Sequence, residues 1–127
     1  MVKILIVDDE PDIVTALGIR LKAAGHEVIT AADGMEGLDA ARKQNPDLIL
    51  LDIMLPKLDG YKVCRILKFD ENYRHIPILM ITAKVTDINK KMGEEVGADA
   101  YITKPFNSDE LMAKIKETLE KCKKAGK

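Results

Sequence analysis

At 127 residues with 46% hydrophobic content, the chain has the size of one ordinary domain and enough apolar mass for a single well-formed core. Its 20 basic and 21 acidic residues leave a net charge of -1, so no basic excess points to nucleic acid or anionic lipid, and DNA binding by this chain alone is not expected. No apolar stretch approaches the roughly 20 residues that span a bilayer, and Met1 Val2 Lys3 leads straight into a strand pattern, so the expectation is a soluble cytoplasmic protein with no membrane association.

The first run of aliphatics, Val2 to Val7, ends in Asp8 and Asp9. A helix is predicted from about Glu10 to Ala24, with Pro11 in its first turn, Ile13, Val14, Leu17 and Leu21 on one stripe, and Gly25 as its stop. Val28 to Ala31 reads as a second strand. Asp33 Gly34 then opens a helix that uses Met35, Leu38 and Ala41 and ends at Asn45 Pro46. The third strand, Leu48 to Leu51, ends in Asp52. Leu55 to Gly60 forms a turn-rich loop, and a helix with Val63, Ile66 and Leu67 inward follows.

Pro77 opens a fourth strand, Ile78 to Ile81, which ends in Thr82. Val85 to Val96 is a weaker helix with Gly93 inside it and Gly97 as its cap. The fifth strand, Ala100 to Ile102, leads to Thr103 and Lys104. Asn107 and Glu110 resemble a capping box, with Ser108 as a competing cap, for a final helix burying Leu111, Ile115 and Leu119. A basic tail from about Lys121 is expected to fray.

Strand and helix patterns alternate five times, which predicts a doubly wound parallel sheet with helices on both faces in one domain, residues 1–127. In the strand order 2-1-3-4-5 the first and third strands are neighbours, and ligands bind outside the strands' carboxyl ends. Asp8, Asp9, Asp52, Thr82 and Lys104 then share one crevice. Two carboxylates about 5 Å apart repel by roughly 3 kcal/mol at an effective dielectric of 20, so the acids need a cation or a raised pKa. Hard oxygen ligands without His or Cys favour Mg²⁺, with Mn²⁺ as a substitute. Cys64, Cys122, His26 and His75 fit no metal pattern, and any phosphoryl chemistry through histidine would belong to another protein.

Each residue alone has an ordinary explanation: Asp8, Asp9 or Thr82 as helix caps, Asp52 as a turn residue, Lys104 as a solvated cation. Together with Pro56, Asp59 Gly60, Ala83 and Pro105 their order closely resembles the receiver domain of two-component response regulators, over essentially the whole chain. The resemblance, to chemotaxis-type regulators of flavodoxin-like fold, implies Asp52 as phosphoacceptor. It implies direct Mg²⁺ ligation by Asp9, Asp52 and the Met54 backbone carbonyl, with Asp8 acting mainly through water. It also implies phosphoryl contacts from Thr82 and Lys104, a switch made by Thr82 and Tyr101, phosphate lifetime tuned at Met54 and Lys84, and a cis Lys104-Pro105 bond.

The implied partners are a sensor histidine kinase or histidine phosphotransfer protein and a downstream protein docking on the fourth helix, fifth strand and fifth helix. The implied state is a monomer or a phosphorylation-dependent dimer. No turnover of a separate substrate is expected. A phosphatase of haloacid-dehalogenase type is the alternative, disfavoured because Met54 stands where that family has a second Asp. A flavin carrier is disfavoured by the acids after the first strand and by only 4% aromatics. A plain Mg²⁺- or Ca²⁺-binding module would leave Lys104 unexplained.

Overall fold

The computed structural model describes residues 2–55, 57–82, 97–104 and 106–124, except the side chains of Thr82 and of residues 122–124. The expected helix over 85–96, Lys84, the Lys104-Pro105 bond, the Thr82 and Cys122 side chains and the last three residues lie outside this description.

Five parallel strands form one sheet: β1 (Lys3–Val7), β2 (Glu27–Ala31), β3 (Leu48–Asp52), β4 (Ile78–Thr82) and β5 (Ala100–Thr103), in the order β2-β1-β3-β4-β5. The helices are α1 (Pro11–Ala23), α2 (Gly34–Gln44), α3 (Gly60–Lys68) and a final α4 (Ser108–Lys124). Because side chains alternate across a strand, each buried strand divides its apolar residues between two cores. Leu5, Val7, Ile49, Leu51, Ile78 and Met80 pack with Leu38, Ala41, Val63 and Leu67 of α2 and α3. On the other face Ile4, Ile6, Leu48, Leu50, Leu79 and Ile81 pack with Leu17 and Leu21 of α1 and with Leu111 and Ile115 of α4. The doubly wound architecture therefore stands as expected.

The punctuation of the helices is local chemistry. Asp33 caps α2 by accepting from the Glu36 amide at 2.8 Å, and Asp59 caps α3 by accepting from Lys62 at 3.0 Å. Asn45 closes α2 in the left-handed region, φ 48. At α4, Asn107 rather than Ser108 is the cap: its Oδ1 accepts from the Glu110 amide at 2.7 Å while its Nδ2 donates to Glu110 Oε1.

Three expectations need correction. Met35 and Ile66 are exposed, because α2 buries Gly34, Gly37, Leu38 and Ala41 and α3 buries Gly60, Val63, Cys64 and Leu67. Gly37 against Val7 and Gly60 against Asp52 and Ile53 bring each helix close to the sheet, and the buried stripes run through these glycines and leave Met35 and Ile66 outside. The fraying expected from about Lys121 does not begin there, since α4 continues through Lys124. Thr118, not the half-buried Leu119, completes the buried stripe, and its hydroxyl donates to the Lys114 carbonyl at 2.7 Å.

Candidate functional site

β1, β3 and β5 run in the same direction, so Asp8, Asp52 and Lys104 come to one edge of the sheet. The period of two also puts them on one face: Asp8 continues Ile4 and Ile6, Asp52 continues Leu48 and Leu50, and Lys104 continues Ile102. Both acids are buried, Asp8 at 2% and Asp52 at 3% exposure.

Lys104 is the counter-ion. Its Nζ lies 2.8 Å from Glu10 Oε1, 3.3 Å from Asp8 Oδ2 and 3.6 Å from Asp52 Oδ2. Burial disfavours the ammonium, but the bond to Glu10 and the charges of Asp52 and Asp8 outweigh it and raise the lysine above its ordinary pKa. Asp52 moves the other way from a usual carboxylate: burial first, then Asp8 and Asp9, push it up to about 6 against the pull of Lys104 and the Met54 amide. Its two oxygens are distinct. Oδ1 accepts from the Met54 amide at 3.3 Å, and Oδ2 faces Lys104.

The carboxylate oxygens of Asp8, Glu10 and Asp52 lie within 4.8 Å of one another. Glu10, not Asp9, is the third acid of this group. Asp9, in the bend after β1, is exposed like Glu10 and lies outside this group, although its charge still reaches Asp52. The signal for Glu10 was its spacing two residues after Asp8, reinforced by the bond from its own amide to Asp8 Oδ1 at 2.9 Å. Among the described residues one ammonium faces three carboxylates and does not balance them, and all the donors are hard oxygens, so the group suits a divalent cation of the Mg²⁺ kind.

Of the other expected residues, Met54 bonds Asp52 through its amide. Met54 is 74% exposed at the rim. Thr82 ends β4, its backbone paired with Thr103. Tyr101 is half-buried on β5 and packs against the core under α2 and α3. Gly60 brings the start of α3 under the site: a methyl group there would collide with the Asp52 carbonyl oxygen and come within 2.8 Å of Ile53 Cα.

The family model described as "Response regulator receiver domain" matches residues 4–116. The chain is 50% identical over 119 residues to the alkaline phosphatase synthesis transcriptional regulatory protein PhoP of Bacillus subtilis, covering 94% of this chain and 49% of that protein. It thus spans about half the length of the curated relatives it matches. Chemotaxis protein CheY4 of Vibrio cholerae superposes with a TM-score of 0.88 at 36% identity, covering 93% of this chain and 98% of that one. The receiver domain of the Pseudomonas aeruginosa sensor histidine kinase PA1611, solved with a magnesium ion coordinated in its active-site cleft, gives 0.86 at 33% identity over 94% and 98% of the two chains. Among the described residues no helix is long and apolar enough to cross a membrane. Fold, acid-lined edge and near full-length similarity agree: the chain belongs to the response regulator receiver domain family, the phosphorylation-activated switches of two-component signalling.

Proposed function

We propose that Asp52 is the phosphoacceptor of this switch and that a Mg²⁺ ion, replaceable by Mn²⁺, works beside it. The observation that carries the reading is a buried carboxylate at a strand end with one oxygen turned toward Lys104 and two further acids in reach. Asp52 Oδ2 attacks the phosphorus of a phosphohistidine on a kinase or phosphotransfer protein. The bond to the imidazole nitrogen breaks, and the imidazole leaves and takes up a proton. Lys104 offsets the charge that gathers on the phosphoryl oxygens, and the Met54 amide holds the other oxygen of Asp52. When bound, the cation neutralises the acids and the incoming phosphate, which lets two anions approach. Asp52, Asp8 and Asp9 or Glu10 are the side chains to hold it, with the Met54 carbonyl as a further oxygen.

Thr82 is assigned a phosphoryl contact and, with Tyr101, the conformational readout. Met54 and Lys84 are assigned control of phosphate lifetime, since neither an apolar thioether nor an ammonium orients a hydrolytic water as a base. The output is a protein contact at β5 and α4, with residues 85–96, outside the described residues, expected to take part, and the chain turns over no separate substrate.

Mass spectrometry after incubation with acetyl phosphate and Mg²⁺ tests the reading. One phosphate mass is expected on the parent and none on Asp52→Asn. Equal labelling of both would remove Asp52 as the nucleophile, and no Mg²⁺ requirement would remove the cation.

A further inference from the structure

The loop from Ile53 to Asp59 is held from outside the acid cluster, by the first turn of α2. Gly34, the buried first residue of α2, has no side chain, and a methyl group there would overlap the Leu58 carbonyl oxygen and stand 2.8 Å from Leu58 Cβ. The loop backbone therefore lies flush against the helix. One residue earlier, Asp33 uses its two oxygens differently: Oδ1 accepts from the Glu36 amide at 2.8 Å, and Oδ2 meets Lys57 Nζ at 3.5 Å. The Asp33 side chain is 8% exposed, so it is a fixed post for a lysine that is itself 69% exposed.

Lys57 needs such a post. Its φ of 67 is a left-handed conformation that a lysine adopts only where its surroundings hold it. From there the loop is short and internally bonded: the Leu55 and Gly60 amides both donate to the Ile53 carbonyl, at 3.1 and 2.9 Å, and the Met54 amide reaches Asp52 Oδ1. Lys57 and Leu58 lie within four residues of the peptide group that touches the acceptor carboxylate.

We infer that Asp33 and Gly34 are positioning residues for the acceptor site, acting through Lys57 and Leu58 to fix the loop that carries Met54, and so setting cation affinity and phosphoryl acceptance at Asp52 without touching either. This rests on the reading of Asp52 given above. It differs from a purely structural role, which would lower stability and leave the site's affinity alone.

The test uses Asp33→Asn, which keeps the oxygen that caps α2, Lys57→Met, which keeps the apolar stem, their double variant, and Gly34→Ala. Amide hydrogen exchange at Leu55 and Gly60 is measured without metal, Mg²⁺ affinity by titration calorimetry, and melting temperature in parallel. The charge variants should melt within a few degrees of the parent yet bind Mg²⁺ about two- to fivefold more weakly, the scale of a partly exposed ion pair. The double variant should be no worse than either single one, since one interaction is lost in each. Gly34→Ala, which must move the loop bodily, should weaken binding by about tenfold or more. Faster exchange at Leu55 and Gly60 should accompany every loss.

Parental exchange and parental Mg²⁺ affinity in the charge variants would overturn the inference even if Gly34→Ala fails to fold. Absence of Mg²⁺ binding by the parent would instead overturn the reading of the site, and the metal-free exchange would then decide by itself whether α2 holds the loop.

Discussion

Asp52 is charged at neutral pH at a cost, because its pKa in the folded chain is pushed up to about 6 from an ordinary 3.8. A carboxyl raised by folding contributes its full stability below the unfolded value and loses it as pH rises through the folded one, since the folded state then binds more protons than the unfolded state. At about 1.4 kcal/mol per pH unit, the span from 3.8 to about 6 amounts to roughly 3 kcal/mol. Without divalent cation, Asp52→Asn should therefore be more stable than the parent by up to about 3 kcal/mol at pH 7.5, with the advantage shrinking toward zero near pH 4. Urea unfolding in chelator across that range measures it. A constant difference at all pH values would show that the Asp52 charge is not the source.

At the scale of elements, α3 and β3 are fitted backbone to backbone at Gly60. A methyl group there meets the Asp52 carbonyl and Ile53 Cα, neither of which can rotate aside as a side chain would. Alanine in place of glycine within a helix ordinarily gains up to about 1 kcal/mol. Gly60→Ala should instead cost about 2 kcal/mol or more, because the start of α3 must back away from the acceptor strand. Denaturant unfolding gives the sign directly, and a stabilised variant would show that the contact is looser than described. Element types and the Asn107 cap were legible in the sequence because their causes lie within a few residues, and Asp33 and Asp59 repeat the same bond to an amide three positions on. On the inward faces of α2 and α3 the sequence showed Leu38, Ala41, Val63 and Leu67, but not Gly34, Gly37 and Gly60, whose packing role appears only against Leu58, Val7 and Asp52.

Across the whole molecule, the site depends on strand order. β4 separates β3 from β5, so Lys104 reaches across the edge to serve Asp8 and Glu10 after β1 and Asp52 on β3. With Lys104 removed, two buried carboxylates keep no cationic partner in the cluster among the described residues, a loss on the order of 3 kcal/mol. Lys104→Met should accordingly lower the melting temperature in chelator. Mg²⁺ should then raise it by more than it raises the parent's, since a bound cation replaces the lost charge and no longer competes with an ammonium for the same oxygens. Thermal melts with and without Mg²⁺ compare the two, and an equal Mg²⁺ response would show that lysine and cation do not share these acids.

What the sequence determined by itself was what periodicity, caps and composition can encode: five aliphatic runs alternating with helices, hence the parallel sheet and its two cores, with Asp8, Asp52 and Lys104 at the ends of strands that run one way. Only the tertiary structure decided which acids meet. The sequence offers Asp8, Asp9 and Asp52 as the acids of the site, and the fold gathers carboxylate oxygens of Asp8, Glu10 and Asp52 within 4.8 Å of one another beside Lys104. The same holds for the hold of α2 on the acceptor loop. Asp33 and Lys57 are 24 residues apart, counted from their numbers, and become partners only because α2 and α3 pack side by side on the same face of the sheet.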